Sequence, residues 1–540
     1  MKISVALGLV FLLSALSTPL ISAEKGEKGD ATLKSLEPYG GFTGKLEKGA
    51  RIWTDTQDTF QNVPAVLEGK GYVISTKYYS EALAEKPGYV YVITPTPVKE
   101  HMRGRFSQSA AGKVIPYFAP NLIAAGFERM EDIPEFKISE NVKEQVAVYR
   151  KYVEKGEIIK YGNPGWGVTV AGLPADYKPV DLSSFKVPDL TAVKPNIYTK
   201  PMEKYMLAGR NFQGVASIEV APNGRIWASW AANNSGVYTE GAGNYDVLVT
   251  SGDGGKTWSE PYSMVIDPVY WPVAAFDSML WHDPSGKLWF FWSHRDRASN
   301  DHMYGLWAMV TEDSGSADPK WSEPSYIGEG FLANKPTVLS TGEWFLPTAN
   351  RGPRYGKPLY VSRDKGKTFS LIANITSPGI EPMIVEKKDG DLWILIRSYG
   401  DKAGISQCFS EDRGKTWSEQ ELYRKGTPTR FYIGRLKSGR LLLIYHPAET
   451  ATTRRRNKMT AYLSEDEGKT WPYKLLLYEG GGSYPDAVQT EDGLIYAIHD
   501  TAGRVGKMVI VMHVFTEEDI MAGKLVGKNS RLGVKVSGKD

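Results

Sequence analysis

The chain contains a single cysteine, Cys408, so no disulfide can form within it and the fold must rest on its hydrophobic core. Histidine is scarce as well, with seven in 540 residues and no His-x-x-x-His pair on a helix, and so a zinc site is not supported. No glycine-rich phosphate loop stands between a strand and a helix, and the reading calls for no cofactor. An excess of one charge is also missing: 65 basic residues face 62 acidic ones, a net charge of +3. That balance excludes a dedicated nucleic-acid binder, which needs a basic stripe. The one long apolar run is Ile3–Leu20, which follows Lys2 and leads into Ile21-Ser-Ala23. Interrupted by Ser14, Ser17 and Pro19, it is short for a membrane span and reads as a cleavable secretory signal over residues 1–23. The expectation is an exported protein, periplasmic or extracellular, with no stable membrane insertion. Composition sets no oligomeric state.

What the chain has in plenty is aromatic side chains, 15 Trp and 30 Tyr among them, which suit packed β-strands and surfaces that stack on sugars. It also repeats itself. Ser251-Gly-Asp253-Gly-Gly255-Lys-Thr257-Trp258 returns as Ser362–Phe369, Ser410–Trp417 and Ser464–Trp471. A degenerate copy, Thr311-Glu-Asp313-Ser-Gly315, precedes Trp321. The aspartates Asp253, Asp313, Asp364, Asp412 and Asp466 stand 60, 51, 48 and 54 residues apart, a period that fits one four-stranded propeller blade per repeat. Within the motif, Asp can accept hydrogen bonds from nearby amides, Gly allows positive φ, and the final aromatic packs under the hairpin. These aspartates are therefore read as structural.

Strand-like runs such as Gly286–Trp292, Asp391–Ile396 and Gly439–Tyr445 fill the gaps. Five copies and a motif-free unit near 480–515 predict an all-β fold with a six-bladed β-propeller over 205–525. A smaller β-rich domain is expected over 31–190, with a helical stretch near Glu140–Lys155, where charged and apolar positions follow helical spacing. The Pro-, Thr- and Lys-rich segment around Pro188–Pro201 reads as a linker, set at 191–204.

The repeats match the Asp-boxes of the sialidase (neuraminidase) superfamily, and residues 205–525 resemble its bacterial BNR-repeat members. Three segments between the boxes carry the resemblance further. In Ile380-Glu381 through Ile396-Arg397-Ser398, Glu381 resembles the glutamate that assists the nucleophile, and Arg397 the second arginine of the family's triad. In Arg456-Asn-Lys-Met-Thr-Ala-Tyr-Leu463 the third triad arginine maps to Arg456, the last of a run with Arg454 and Arg455. Ser483-Tyr484-Pro485-Asp486 resembles the nucleophile segment, with Tyr484 as the nucleophile. The resemblance implies an exo-acting glycosidase that removes a terminal acidic sugar from a glycan. A tyrosine suits that task because a carboxylate nucleophile would be repelled by the sugar's own carboxylate. A base beside the tyrosine, arginines on the carboxylate and a separate acid complete the requirement.

Two departures stand out. Where the family places its first arginine, this chain reads Asn211-Phe-Gln213-Gly-Val215-Ala-Ser217, with Arg210 just before it. Where the acid/base aspartate is expected, Val237–Tyr245 has none, so Glu240 is the best substitute and Asp277 the second candidate. His282, His294 and His302, with Arg295 and Arg297, form a further group. His282 and Arg295 are candidate substrate contacts. Three readings remain open: a sialidase-type hydrolase, a related hydrolase or lyase for another sugar such as a uronic-acid-linked residue, and a glycan-binding propeller without turnover.

Overall fold

The computed structural model describes residues 29–35, 42–53, 58–74, 79–95, 122, 126–142, 145–162, 167–180, 190–200, 202–233, 240, 243–259, 262–268, 273–296, 304–350, 356–447, 456–501 and 509–539. The expected signal segment and Arg297, His302, Arg454 and Arg455 lie outside them.

The described residues between 30 and 171 form two antiparallel sheets. One orders its strands Phe42–Lys45, Gly71–Ile74, Val168–Ala171, Gly88–Pro95, Val146–Val153 and Glu128–Arg129; the other holds Thr32–Ser35, Tyr79–Lys86 and Ile158–Gly162. Leu33, Ala82 and Ile159 of the smaller sheet pack against Val90, Val92 and Tyr149 of the larger, whose other face covers Trp53, Phe60 and Ile138. The helix expected at 140–155 is not there: Val146–Val153 is a strand. Its sequence, Val-Ala-Val-Tyr, sends Val146 and Val148 into one core and Ala147 and Tyr149 into the other. β-branched residues and burial on both faces override the helical spacing of the flanking charges.

Six antiparallel sheets follow among the described residues. Sheet I comprises Phe212–Val220, Ile226–Asn233, Tyr245–Ser251 and Met264–Asp267, and sheet II Val273–His282, Leu288–Asp296, Tyr304–Thr311 and Ser325–Glu329. In sheet III the short pieces Phe331–Leu332 and Thr337–Val338 both pair with Trp344–Ala349, followed by Lys357–Ser362 and Ser370–Ile375. Sheet IV holds Ile380–Glu386, Leu392–Ser398, Gly404–Ser410 and Glu421–Lys425. Sheet V holds Tyr432–Arg435, Leu441–Tyr445, Met459–Ser464 and Tyr473–Tyr478; sheet VI holds Gly482–Gln489, Ile495–Thr501, Ile510–Phe515 and Arg531–Ser537.

Each sheet packs on the next. Trp227, Leu248, Phe290 and Trp292 join I to II; Trp281, Phe291, Trp344 and Tyr360 join II to III. Phe345 and Ile394 join III to IV, Trp393 and Tyr445 join IV to V, and Ile444 and Phe515 join V to VI. A further cluster, with Ile218, Trp230 and Val247 beside Ile498, Met512 and Val514, joins VI back to I. Because both faces of a middle strand are covered, runs such as Leu288-Trp-Phe-Phe-Trp292 are apolar throughout rather than alternating.

The repeated motif closes the turn after the third strand of its sheet. In the second clean copy, Ser362 Oγ donates to Asp364 Oδ1 at 2.9 Å, and the same oxygen accepts from Thr368 N at 2.9 Å. Thr368 Oγ1 donates to Asp364 Oδ2 at 2.6 Å. Hydrogen bonds from Thr368 hold the Asp364 carboxyl down at about 2, and Asp412 and Asp466 are held there in the same way. Gly366 sits at φ 82°, and a Cβ there would stand 2.6 Å from both Trp289 and Trp344. The motif aromatics pack under the hairpins as the sequence predicts: Phe369 meets Trp289 of the preceding sheet at 6.0 Å, and Trp321 of the degenerate copy meets Trp227 at 6.2 Å.

The ends of this array differ from expectation. Asn196–Tyr198, inside the segment read as a linker, pairs with Met264–Asp267 as the outermost strand of sheet I. An edge strand satisfies its ladder on one side only, which tolerates that composition. Strand Arg531–Ser537 lies beyond residue 525 and is half-exposed, so its apolar pattern is weak. Before it, helix Glu517–Ala522 starts in a capping box between Thr516 and Asp519 and packs Ile520 into the V–VI core.

Candidate active site

The inner strands of sheets I, II, IV and VI share a local distortion. Val215, Asp277, Glu381 and Tyr484 have φ of 63°, 54°, 59° and 54°. Each lies at a register break with the second strand, between Gly214 and Ser217, Phe276 and Met279, Ile380 and Pro382, and Ser483 and Asp486. Positive φ on a residue with a Cβ costs on the order of 1–3 kcal/mol and persists only where surrounding contacts impose it. The bulge turns one side chain per strand out of the regular alternation. Two carboxylates of sheet VI fix the bulge in sheet I. Asp500 Oδ2 accepts from Val215 N at 2.8 Å, and Asp486 Oδ2 accepts from Ser217 Oγ at 2.7 Å and Ile218 N at 2.9 Å.

Three of the side chains so presented, Asp277, Glu381 and Tyr484, meet arginines. Arg397, at the end of the strand paired with Glu381, places Nη1 3.0 Å from both Glu381 carboxylate oxygens, while its Nε donates to Pro428 O at 3.0 Å. Arg430, just before the inner strand of sheet V, donates from Nη2 to Asp277 Oδ1 at 2.5 Å and lies 3.8 Å from Glu381 Oε1. Arg456 donates from Nη1 to Ser483 Oγ at 2.8 Å. The guanidinium carbons of Arg430 and Arg456 each stand 5.1 Å from the centre of the Tyr484 ring. Tyr484, Glu381, Arg397 and Arg430 are all buried.

Charge follows this geometry. Burial opposes the Arg397 cation, yet Glu381 and Tyr484 hold its pKa above the usual value; Arg430 is kept charged against burial by Asp277 and Glu381. Burial pushes the Asp277 carboxyl up, Arg430 pulls it down, and Glu240 and Glu381 push it up again, leaving it raised. Asp246, in the third strand of sheet I, is fully buried, and neither carboxylate oxygen has a hydrogen-bond partner among the described residues. Its burial and the nearby Asp277 raise its pKa well above the ordinary carboxylate value, which favours the protonated form.

Of the residues predicted from sequence, Tyr484, Glu381, Asp277, Arg397 and Arg456 come together. Glu240 is partly exposed and interacts electrostatically with Asp277. Arg295 stands over the rings of Phe276 (5.9 Å), the chain neighbour of Asp277, and Tyr304 (5.3 Å). His282 is elsewhere. Its Nδ1 is 2.9 Å from Glu219 Oε2 and its Nε2 2.9 Å from Ser314 Oγ. It belongs to a buried hub in which Lys335 Nζ lies 3.0 Å from both Glu219 and Asp486 and donates to Ile218 O and Leu280 O. His294 is buried, accepts from Trp292 Nε1 at 3.2 Å, and is pushed by burial down to about 3, so it is neutral. At the place of the expected first arginine, Gln213 Oε1 accepts from Arg210 Nη1 and Ser537 Oγ, and Arg210 Nε donates to Tyr205 O. Sequence reasoning missed Arg430 and Asp246. The signal for Asp246 was a lone acid inside the apolar run Tyr245–Thr250; for Arg430 it was a cation directly ahead of an inner strand.

Residues 274–497 match the model of the BNR repeat-like domain. A sialidase of Bacteroides fragilis is 28% identical over 283 residues, 43% of this chain and 49% of that protein, so the match spans about half the length of the relative. Among solved structures, a Hadza microbial sialidase aligns at 15% identity over 88% of this chain and 99% of its own, with a TM-score of 0.48. The intramolecular trans-sialidase of Ruminococcus gnavus aligns at 15% identity over 61% and 98%, with a TM-score of 0.46. With its repeated aspartate turns and the domain match at 274–497, the chain is similar to BNR-repeat proteins and, over part of its length, to a sialidase.

Proposed function

We propose that the protein is an exo-acting glycoside hydrolase of sialidase type that removes a terminal acidic sugar from glycans, built on a six-bladed propeller formed by sheets I–VI. The cluster joining sheet VI to sheet I supports the ring. Residues 31–190 would form a separate β-rich domain. The polar site and the apolar N-terminal run agree with an exported enzyme working on extracellular or periplasmic glycans.

One observation carries the reading: Glu381, Asp277, Arg397, Arg430 and Arg456 gather around Tyr484 of sheet VI from three other sheets. In the mechanism proposed, Tyr484 Oη attacks the anomeric carbon and Glu381 takes up its proton. The adjacent guanidinium groups stabilise the developing phenolate and clamp the substrate carboxylate. The Glu240–Asp277 pair supplies the proton to the leaving oxygen, with burial and then Glu240 raising the proton affinity of Asp277 against the pull of Arg430. Water then releases the sugar from tyrosine, so two displacements give net retention. Arg430 stands in for the arginine missing at Gln213.

Gln213 also favours a second reading, a related hydrolase or lyase for another acidic sugar such as a uronic-acid-linked residue. The test is release of free sugar from a panel of sialylated and uronate-containing glycans, with Tyr484→Phe as control. Sialic acid released by the wild type alone supports the first reading. A different sugar or an unsaturated product supports the second. Binding without any turnover would leave a lectin and overturn both.

A further inference from the structure

A cleft of about 620 Å³ opens between sheets II and III, away from Tyr484. Its size lies within the roughly 300–1,000 Å³ of small-molecule sites. One wall is the outer strand of sheet II, with Tyr326 and Glu329; the other is sheet III, with Asn350, Tyr360, Leu371 and Asn374. Tyr326 is 39% exposed and Leu371 58%, so the rim keeps apolar surface that folding has not covered. The Tyr326 ring is held edge-on by Trp307 at 5.5 Å. Tyr360 Oη accepts from Glu329 N at 2.8 Å and so fixes the floor. Asn350 is 9% exposed, and its Oδ1 is buried with no hydrogen-bond partner among the described residues, although its backbone N donates to Gly356 O. A buried amide oxygen without a donor is costly unless something supplies one.

The cleft faces the same way as the candidate active site. Asp277, Glu381 and Tyr484 lie near the starts of inner strands, beside the starts of third strands and the ends of fourth strands. In the antiparallel register, Glu329 pairs with Gly305 and Asn374 with Pro358, at that same end. The link is direct at the inner edge: after Glu329, Phe331 packs on Tyr304 at 4.9 Å in a cluster that includes Ile380, the neighbour of Glu381.

We propose that this cleft is a subsite for uncharged sugar residues of the glycan whose acidic end occupies the Tyr484 site, an inference that rests on the glycan-directed reading above. An exposed tyrosine and a leucine offer a platform for the apolar face of a pyranose ring. Asn350 Oδ1 accepts a sugar hydroxyl, and Asn374 and Glu329 border the same space. The occupant is a neutral oligosaccharide rather than a second acidic sugar, because among the described lining residues the one charged group is the Glu329 carboxylate, which repels an acidic sugar.

The experiment is titration of the full chain with a neutral lactosamine-type tetrasaccharide that lacks any acidic sugar, followed by calorimetry or saturation-transfer NMR. Wild type and Tyr484→Phe should bind it equally, while Tyr326→Ala weakens binding about tenfold, as expected for loss of a stacking ring. Asn374→Ala, at an exposed position, provides a second variant that leaves the core intact. No binding to the wild type, or unchanged binding by both Tyr326→Ala and Asn374→Ala, overturns the subsite. Because the probe carries no cleavable acidic sugar, failure of the proposed hydrolysis would appear in the sugar-release assay and not here.

Discussion

At the scale of single residues, the site is a set of buried charges that are nearly all answered. Arg430 is the residue on which most of them depend, since it binds Asp277, approaches Glu381 and covers the Tyr484 ring. Arg430→Met should leave Asp277 buried without its cation and lower stability by about 3–5 kcal/mol in chemical denaturation. Arg430→Lys keeps the charge but loses the planar fork, and should raise KM for an acidic substrate more than it lowers kcat. Asp246 and Asp277 have raised folded pKa values, so each binds more protons in the native state than in the unfolded one. Their contribution is therefore favourable at low pH and is lost as pH rises from the unfolded carboxylate range through the folded pKa. Asp246→Asn removes the ionisable group and should flatten this decline in a pH series of melting curves. Asp277→Asn should remove the alkaline limb of kcat/KM if Asp277 holds the transferred proton, and Glu240→Gln should do so if Glu240 holds it.

The elements explain which of these residues could be read in advance. Glu381 and Arg397 sit on one hairpin, so their spacing along the chain is also their spacing in space. Tyr484 was legible from the segment around it. The repeated turns were legible because every bond they make is local, from Asp364 to Thr368 and Ser362. Arg430 and Asp246 were not, because each gains its role only where one sheet meets another. Arg430 of sheet V acts on Asp277 of sheet II, 153 residues away. The strand at Val146–Val153 was misread because helical spacing of charges says nothing about a second sheet lying over the far face. His282 was grouped with the site by sequence proximity, but along its strand it falls five residues past Asp277, in the Glu219–Lys335 hub. The turns themselves make a prediction. Gly366→Ala places a methyl against Trp289 and Trp344 at a positive φ and should cost about 2–4 kcal/mol in urea unfolding. Asp412→Ala should lower the melting temperature while leaving sugar release per folded molecule unchanged.

For the whole molecule, the decisive feature is that the sheets pack in chain order and the last also packs on the first. Met512 of sheet VI reaches under Gly255 of sheet I, and Arg531 Nη2 donates to Gly254 O at 2.6 Å. Tyr484 stands on sheet VI and Val215 on sheet I, so this seam holds two of the four bulged positions in register. Met512→Ala should therefore cost about 2–5 kcal/mol and weaken turnover, although residue 512 touches no proposed substrate group. The most direct measurement is labelling of the wild-type protein with a fluorinated sialyl fluoride, which slows release of the glycosyl-enzyme, followed by peptide mass spectrometry. The account predicts one added sugar on the peptide containing Tyr484, and none in Tyr484→Phe. Turnover of sialosides with no label on Tyr484, or a label on Glu381 or Asp277 instead, would contradict it.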